Sequence, residues 1–470
     1  MNSYNKLVKN SSIFAIATFG SKFISILLVP FYTYVLSKQE YGIIDMLYTT
    51  ITLLIPIITL SIQDSVLRFT VKSKYKYENI LTCGFITIII GNVLFFMFYP
   101  LIIRIEILSE YTWIVVLVLF FQCLNSLFCQ FARGSNNIKE FAFNGVMYTF
   151  FLLFFNIITL KFLDMGIVGY FVSLLLANII SNLYFTVKLR LWKYIRRKYF
   201  NKKLLKEMLV YSIPLIPNTL MWWIVSVSDR YMITFFIGAS ANGLYAVANK
   251  IPTILGVVDS IFSQAWQLSA IEEGDSDNKS EFYSNVFNIY SSIVLISTSF
   301  IFVILKDGIR FILGSEYKDV WMYVPFLLLG SVFTIFSTFL GTNYIAMKKT
   351  KGVLKTSIIS AIINIVLNCA LIPAYGINGA AISTMISLFV LWIIRIFDTK
   401  EFIKMKVDLK ILCINFIFIF IQTVVLLLNL NFNLLIQFLL FIILLINNKK
   451  VIEIVTNKFK HYTAFKLNNN

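Results

Sequence analysis

Residues 13–36 read IFAIATFGSKFISILLVPFYTYVL, an apolar stretch of twenty-four residues with one charged side chain, Lys22. A helix needs about 20 predominantly apolar residues to cross a bilayer, so this stretch is long enough. A lysine near the middle of such a helix costs about 2.5–3.5 kcal/mol on insertion scales. The stretch therefore predicts a transmembrane helix that keeps a charge for a functional or structural reason.

The whole chain has the composition of a membrane protein. Of its 470 residues, 59% are hydrophobic and only 14% are charged, and the mean hydropathy is +0.81. A soluble protein of this length needs far more charge on its water-facing exterior. The repeated apolar runs predict an all-α polytopic membrane protein with fourteen spans, twelve in the core and about two at the C-terminal end. Among them, the second span is predicted at 42–65 and the eighth at 243–270.

The net charge of +18 is distributed unevenly between the connections. Basic residues concentrate in alternate connections, above all in KLRLWKYIRRKYFNKK at 188–203. By the positive-inside rule this asymmetry predicts that both termini are cytoplasmic. No basic run combines the aromatics and turn signals of a nucleic-acid module, so nucleic acid is not an expected partner.

Cysteine and histidine usage argues against metal and cofactor chemistry. All five cysteines lie in apolar runs without a CxxC pair, and the one histidine, His461, lies in the tail. We therefore expect no metal site, no cofactor and no histidine base within the membrane. No small-residue cleavage site follows the first apolar run, which predicts a retained span rather than a signal peptide.

Two pairs of similar segments indicate an internal repeat. LDMGIVG at 163–169 matches PAYGING at 373–379, and the segments EYGIIDMLYTTITLL and ANGLYAVANKIPTIL align Gly42 with Gly243. The offsets, about 210 and about 200 residues, agree within a loop insertion and predict two pseudo-symmetric six-helix bundles. The predicted parts are an N-terminal bundle at 1–187, a basic cytoplasmic linker at 188–208, a C-terminal bundle at 209–398, two further spans at 399–448 and a basic tail at 449–470.

Polar residues recur along one face of several predicted spans. Lys22 shares its stripe with small and hydroxyl residues, and Asp45 lies on a polar face of the second span. Small polar residues also pack helices together, and that explanation stays open for the Ser, Thr and Asn positions. A buried charge needs a cavity or a partner, so Lys22 either faces a cavity or pairs with Asp45 or Asp64.

Three blocks of sequence resemble a known family, the polysaccharide flippases of the Wzx type. This family belongs to a superfamily that also includes multidrug exporters and lipid II flippases. The resemblance covers spans one to twelve. The blocks are GSKFISILLVPFYTYVLSKQEYGIIDM at 20–46, SVSDRYMITFFIGASANGLYAVANKI at 226–251 and YGINGAAIST at 375–384.

The resemblance implies a transporter of the bacterial cytoplasmic membrane rather than an enzyme. Its two bundles would surround a cationic cavity that opens to each side in turn. The implied substrate is an undecaprenyl-diphosphate-linked oligosaccharide for O-antigen or capsule, with membrane lipids and polysaccharide polymerase machinery as further partners. Lysine and arginine suit the diphosphate, and polar side chains suit the sugars.

We expect two groups of site residues. Those for substrate binding are Lys22, Arg68, Arg133, Asn218, Arg230, Lys250 and Asn364. Those for coupling to an ion gradient are Asp45, Asp64 and Asp259.

Two alternative functions remain open. A cation-coupled multidrug exporter has the same fold and would place carboxylates in its cavity. A membrane polysaccharide polymerase would carry a large external loop, whereas the longest predicted one, KDGIRFILGSEYKD at 306–319, is short. No phosphate-binding glycine loop is present in the sequence, so ATP is not the expected direct energy source.

Overall fold

The structure is a computed structural model, and its regular elements are helices throughout the part that it describes. Eleven helical segments there are long and apolar enough to cross a membrane, and a shorter apolar helix follows them. The predicted all-α membrane fold is confirmed, while the number of spans stays a prediction. The described residues are 24, 27–72, 74–98, 110–272, 279–347, 350–430 and 432–453.

The chain forms two compact units, Met1–Ala246 and Val247–Asn470. Residues 27–35 are helical and precede α1. The later helices of unit one are α1 (Lys38–Ile58), α2 (Ile62–Lys72), α3 (Tyr77–Met97), α4 (Thr112–Gly134), α5 (Ile138–Asn156), α6 (Gly166–Lys188), α7 (Lys202–Ser212), α8 (Ile216–Phe236) and α9 (Ala239–Ala248), whose last two residues belong to unit two. The predicted division of the chain at 188–208 stays a prediction.

Helix α1 begins at a capping box and ends at a sharp break. The Ser37 hydroxyl accepts from the Glu40 N–H at 3.2 Å, and the Glu40 carboxylate accepts from the Ser37 N–H at 2.9 Å. After Ile58 the backbone turns, with positive φ at Leu60 and Ser61, before α2 begins. The sequence predicted one continuous span at 42–65. The structure corrects this, since a residue with positive φ cannot continue a right-handed helix.

The interior of unit one contains an amide and hydroxyl network that links α4, α5 and α6. The Ser181 hydroxyl donates to Asn144 Oδ1 at 2.8 Å and accepts from the Asn125 amide. The Asn182 amide donates to the Phe121 carbonyl oxygen at 2.8 Å. These bonds satisfy polar groups that would otherwise be costly in a lipid-surrounded bundle.

Unit two continues the helical order after a second break. Residues 249–252 form a turn where the sequence predicted an uninterrupted span at 243–270. Pro252 has no N–H to donate to a preceding helical carbonyl, so the helix restarts at Thr253. The helices are α10 (Thr253–Glu272), α11 (Lys279–Ile312), α12 (Val324–Ala346), α13 (Thr350–Tyr375), α14 (Ile377–Thr399), α15 (Leu409–Leu427) and α16 (Asn433–Asn447).

Buried amides join α15 to α16. The Gln437 amide donates to the Gln422 carbonyl oxygen at 2.8 Å, and the Gln422 amide donates to the Gln437 carbonyl oxygen at 3.3 Å. Near the other end of the pair, the amides of Asn415 and Asn448 exchange hydrogen bonds of 3.1 and 2.8 Å. The two C-terminal helices are therefore fastened at both ends by reciprocal amide pairs.

Candidate functional site

An ion pair joins α1 to α8 within unit one. Arg230 Nη1 lies 2.6 Å from Asp45 Oδ1, and the two side chains are 16% and 7% exposed. Asp45 Oδ2 and Arg230 Nε are also buried, and neither has a hydrogen-bond partner in the described part of the chain. The pair is thus held by one charge-assisted hydrogen bond, although a guanidinium and a carboxylate can form two.

Aromatic side chains of α8 fasten it to α1 around this pair. Trp223 Nε1 donates to the Thr49 carbonyl oxygen at 3.1 Å and to Thr52 Oγ1 at 3.2 Å. The Tyr231 hydroxyl lies 2.7 Å from Thr50 Oγ1. Thr49 and Thr52 share with Asp45 the polar face that the sequence predicts for this span. This face packs against α8.

Helix α9 forms hydrogen bonds with both α8 and α1. The Tyr245 hydroxyl donates to Asp229 Oδ2 at 2.6 Å, and the Asn242 amide donates to the Gly42 carbonyl oxygen at 2.9 Å. Asp229 is 3% exposed and lies next to Arg230 in the chain. The Asp229 hydrogen bond fixes α8 against α9 and thereby the position of its neighbour Arg230.

The arginine of this site has donors to spare. A guanidinium presents five N–H donors in a fixed plane, and the single contact with Asp45 leaves most of them unused by that carboxylate. Phosphate oxygens accept charge-assisted hydrogen bonds from arginine as carboxylate oxygens do. No group of three or more metal-ligating side chains occurs in the described residues.

The other predicted binding residues of unit one lie on its surface. Arg68 is exposed, with its guanidinium carbon 4.4 Å from the centre of the Tyr211 ring. Arg133 is exposed at the end of α4 and donates to Gln130 Oε1 at 3.1 Å. Asn218 is exposed in the first turn of α8. These three residues do not join the Asp45–Arg230 pair.

The predicted residues of unit two belong to three different elements of the chain. Lys250 is half-buried in the turn before α10. Asn364 is fully buried, and its amide donates to Thr384 Oγ1 at 3.2 Å. Asp259 Oδ1 accepts from the Tyr290 hydroxyl at 2.5 Å and from the Ser263 hydroxyl at 2.9 Å.

Lys22 and Asp64 are the two predicted residues that remain. Lys22 lies outside the described residues. Asp64 is half-buried in the first turn of α2, after the break at Leu60 and Ser61. The alternative pairing of Lys22 with Asp45 therefore stays open, but Asp45 already has a cationic partner in Arg230.

Sequence reasoning missed the buried Arg395 of α14. Its side chain is 2% exposed and donates to the Ser337 carbonyl oxygen at 2.6 Å and to the hydroxyls of Thr356 and Ser357 at 3.2 Å each. The signal was available, because Arg395 stands alone in the apolar run of its helix. It links α14 to α12 and α13.

Comparison with known proteins gives a family match over the first part of the chain and two relatives in glycan biosynthesis. The profile described as "Polysaccharide biosynthesis protein" matches residues 7–267. The probable low-salt glycan biosynthesis flippase Agl15 of Haloferax volcanii is 26% identical over 38% of this chain and 38% of its own length. The capsular polysaccharide biosynthesis protein CapF of Staphylococcus aureus is 24% identical over 41% of this chain and 52% of its own length. The matches thus span about half or less of these relatives.

Solved structures give the same fold. The lipid II flippase MurJ in an inward closed conformation aligns with a TM-score of 0.71 at 17% identity, covering 94% of this chain and 99% of MurJ. An inward-facing multidrug resistance MATE family transporter of the MOP superfamily aligns with a TM-score of 0.63 at 14% identity, covering 81% of this chain and 98% of the transporter.

The profile match extends from the first apolar run through α8 and α9 into α10, and it therefore includes the whole Asp45–Arg230 site. It covers more than half of the chain, and the chain accordingly belongs to the polysaccharide biosynthesis protein family, with the fold of the lipid II flippase and of the MATE transporters.

Proposed function

We propose that the protein moves an undecaprenyl-diphosphate-linked oligosaccharide across the bacterial cytoplasmic membrane by alternating access. The glycan would then serve surface polysaccharide assembly, such as O-antigen or capsule, with a polysaccharide polymerase as the next component. Family membership supports the polysaccharide pathway, and the fold shared with a lipid II flippase supports movement of a lipid-linked sugar. The termini lie in the cytoplasm in this proposal.

One observation carries the proposal at the level of residues: Arg230 is only 16% exposed, and a single nitrogen of its guanidinium is bonded to Asp45. A diphosphate that leaves water for a low-dielectric site needs cations to balance its charge. Arg230 supplies such a cation, and Asp45 holds it in place until the substrate arrives. Exchange of the carboxylate for the diphosphate would then couple substrate binding to the separation of α1 from α8.

The remaining predicted residues take subordinate roles. Lys22 adds a second cation, and the exposed Arg68 and Arg133 attract the diphosphate at the cytoplasmic side. The exposed side-chain amide of Asn218 binds sugar hydroxyls, whereas the fully buried Asn364 joins α13 to α14 through Thr384. The candidates for coupling to an ion gradient are Asp45, Asp64 and Asp259. Release of Asp45 from Arg230 would expose its carboxylate to a proton or sodium ion.

The test is export in cells that depend on this protein. Deletion should accumulate the undecaprenyl-linked intermediate in the inner leaflet. Arg230→Gln should reduce surface glycan at least tenfold at equal protein level, whereas Arg230→Lys should keep part of it because the charge remains. Arg310→Gln, an exposed arginine of unit two, is the matched control and should export normally. Full export by Arg230→Gln would overturn the role of this arginine.

A multidrug exporter is the second candidate, and one arrangement in unit two favours it. Asp259 lies beside a stack of aromatic rings, in which the Phe262 and Tyr290 centroids are 3.6 Å apart and Trp266 stacks on Phe339 at 4.4 Å. A carboxylate with aromatic faces suits an organic cation. Under this candidate, Asp259→Asn would abolish resistance to an organic cation such as ethidium and leave surface glycan unchanged.

A further inference from the structure

The segment 188–206 carries the densest positive charge in the described part of the chain. Nine lysine and arginine side chains lie in these nineteen residues, with no acidic residue among them, and all nine are exposed. The two ion pairs found among the described residues, Asp45–Arg230 and Arg310–Asp319, do not involve any of them. None of the nine therefore forms an ion pair within the described part of the chain, and the adjacent Glu207 accepts a hydrogen bond from Tyr75.

The backbone of this segment is fastened to α3. Thr82 Oγ1 donates to the Tyr194 carbonyl oxygen at 2.7 Å, and the Asn79 amide donates to the Tyr199 carbonyl oxygen at 2.8 Å. Leu191 and Leu204 are buried at 1% and 0% exposure and anchor the segment from beneath. A linker that only joined two bundles would need neither the buried leucines nor the hydrogen bonds, whereas a surface that presents charge in a fixed arrangement needs both.

Exposed apolar side chains accompany the charge. Trp192 is 50% exposed and Phe200 is 41% exposed, while Val187 and Val210 flank the segment at 60% and 67%. Tryptophan and phenylalanine next to basic residues are typical of a surface that lies at the level of lipid headgroups. Basic clusters of this size directly beside a transmembrane helix favour anionic lipids.

We propose that residues 188–206 form a fixed docking surface for the anionic phospholipid headgroups of the leaflet that they face. In the topology proposed above, this is the cytoplasmic leaflet. The bound lipids would supply counter-charge for the nine basic side chains and would hold the start of α3 and the end of α6 at the membrane surface. This role concerns resident lipids, and it does not require that the segment touch the transported substrate.

The test measures lipid selectivity directly. The full-length protein is placed in phosphatidylcholine nanodiscs, and association of spin-labelled phosphatidylglycerol is followed. We expect the triple variant Arg196→Gln, Arg197→Gln, Lys198→Gln to weaken this association at least about tenfold. Each basic residue near an anionic surface adds to the binding free energy of the lipid headgroups. The matched control is the triple variant Lys404→Gln, Lys406→Gln, Lys410→Gln. These three exposed lysines have Glu401 and Asp408 beside them, so their loss should weaken the lipid association less than about twofold.

Three results would overturn the proposal. The first is unchanged phosphatidylglycerol association in the 196–198 variant at an unchanged melting temperature. The second is an equal loss in both triple variants, which would assign the effect to net charge alone. The third is displacement of the lipid by millimolar inorganic diphosphate at matched ionic strength, which would assign the segment to the substrate's headgroup. Because the assay contains no transport step, failure of export leaves its outcome unaffected.

Discussion

Gly42 and Gly243 contact each other reciprocally across the boundary between α1 and α9. A Cβ atom on Gly42 would lie 1.9 Å from the Ala239 carbonyl oxygen, and one on Gly243 would lie 1.8 Å from the Lys38 carbonyl oxygen. The sequence repeat pairs Gly42 with Gly243, and the same offset pairs Lys38 with Ala239. Each contact is thus the counterpart of the other, as expected where a twofold pseudo-symmetry axis passes between equivalent segments.

Either glycine should be intolerant of even a methyl group. Gly42→Ala or Gly243→Ala places Cβ within 2 Å of a backbone oxygen, which no rotation of a side chain relieves. We expect a loss of about 1–3 kcal/mol in stability, measured as a lower melting temperature of the purified protein in detergent.

Gly145 in α5 is the matched control, since a Cβ atom there has no neighbour within 4 Å. Gly145→Ala should stabilise by about 0.5–1 kcal/mol, because alanine is the better helix former. A Gly42→Ala protein as stable as the Gly145→Ala protein would mean that α1 and α9 do not meet as described.

The Asp45–Arg230 pair should behave as a unit in a double-mutant cycle. Asp45→Asn or Arg230→Gln alone strands a buried charge and should cost about 3 kcal/mol, read as reduced thermal stability. The double variant should recover much of that loss, giving a coupling energy of about 1–3 kcal/mol. Strict additivity of the two single losses would contradict a direct pair.

Arg395 should be irreplaceable by lysine for structural reasons. Its guanidinium reaches three acceptors on α12 and α13, which a single ammonium group cannot span. We expect Arg395→Lys to cost about 2 kcal/mol in thermal stability. In contrast, Arg310→Lys alters an exposed arginine whose contact with Asp319 is 3.8 Å long, and it should shift stability by less than about 0.5 kcal/mol.

The reciprocal side-chain amides of Asn415 and Asn448 give a reversal that is easy to measure. Asn415→Leu leaves the buried Asn448 side chain without its α15 partner, so it should destabilise by about 1–2 kcal/mol. Adding Asn448→Leu replaces both partners by apolar groups and should restore part of the melting temperature. A double variant less stable than either single one would contradict this account.

Topology is testable with single cysteines at two exposed lysines, in a variant whose native cysteines are replaced by serine. Lys193→Cys should resist a membrane-impermeant maleimide in intact cells, whereas Lys318→Cys should react, because the charge asymmetry predicts that 188–208 lies inside and 306–319 outside. Labelling of the cysteine at position 193 in intact cells would mean that the orientation is the reverse of the predicted one.

Hydropathy and charge were sufficient to predict the helical membrane fold, because span length and apolar composition follow from the bilayer itself. Periodicity placed Asp45 on a polar face but did not identify Arg230 as its partner. The two residues are 185 positions apart, and a helical pattern describes one helix at a time. The break at Leu60 and Ser61 was missed because neither residue is a glycine, the residue type that signals a positive φ in a sequence.

The length of α16 has a consequence for the lipid around it. Fifteen residues rise only about 22 Å, whereas the hydrocarbon core of a bilayer measures about 30 Å. For this helix to span, as the sequence predicts, the bilayer beside its exposed Leu434 and Ile446 must thin toward that shorter length. The hydrogen bonds that join Asn415 to Asn448 and Gln422 to Gln437 would then lie nearer to the two membrane surfaces, where polar side chains cost less than at the bilayer centre.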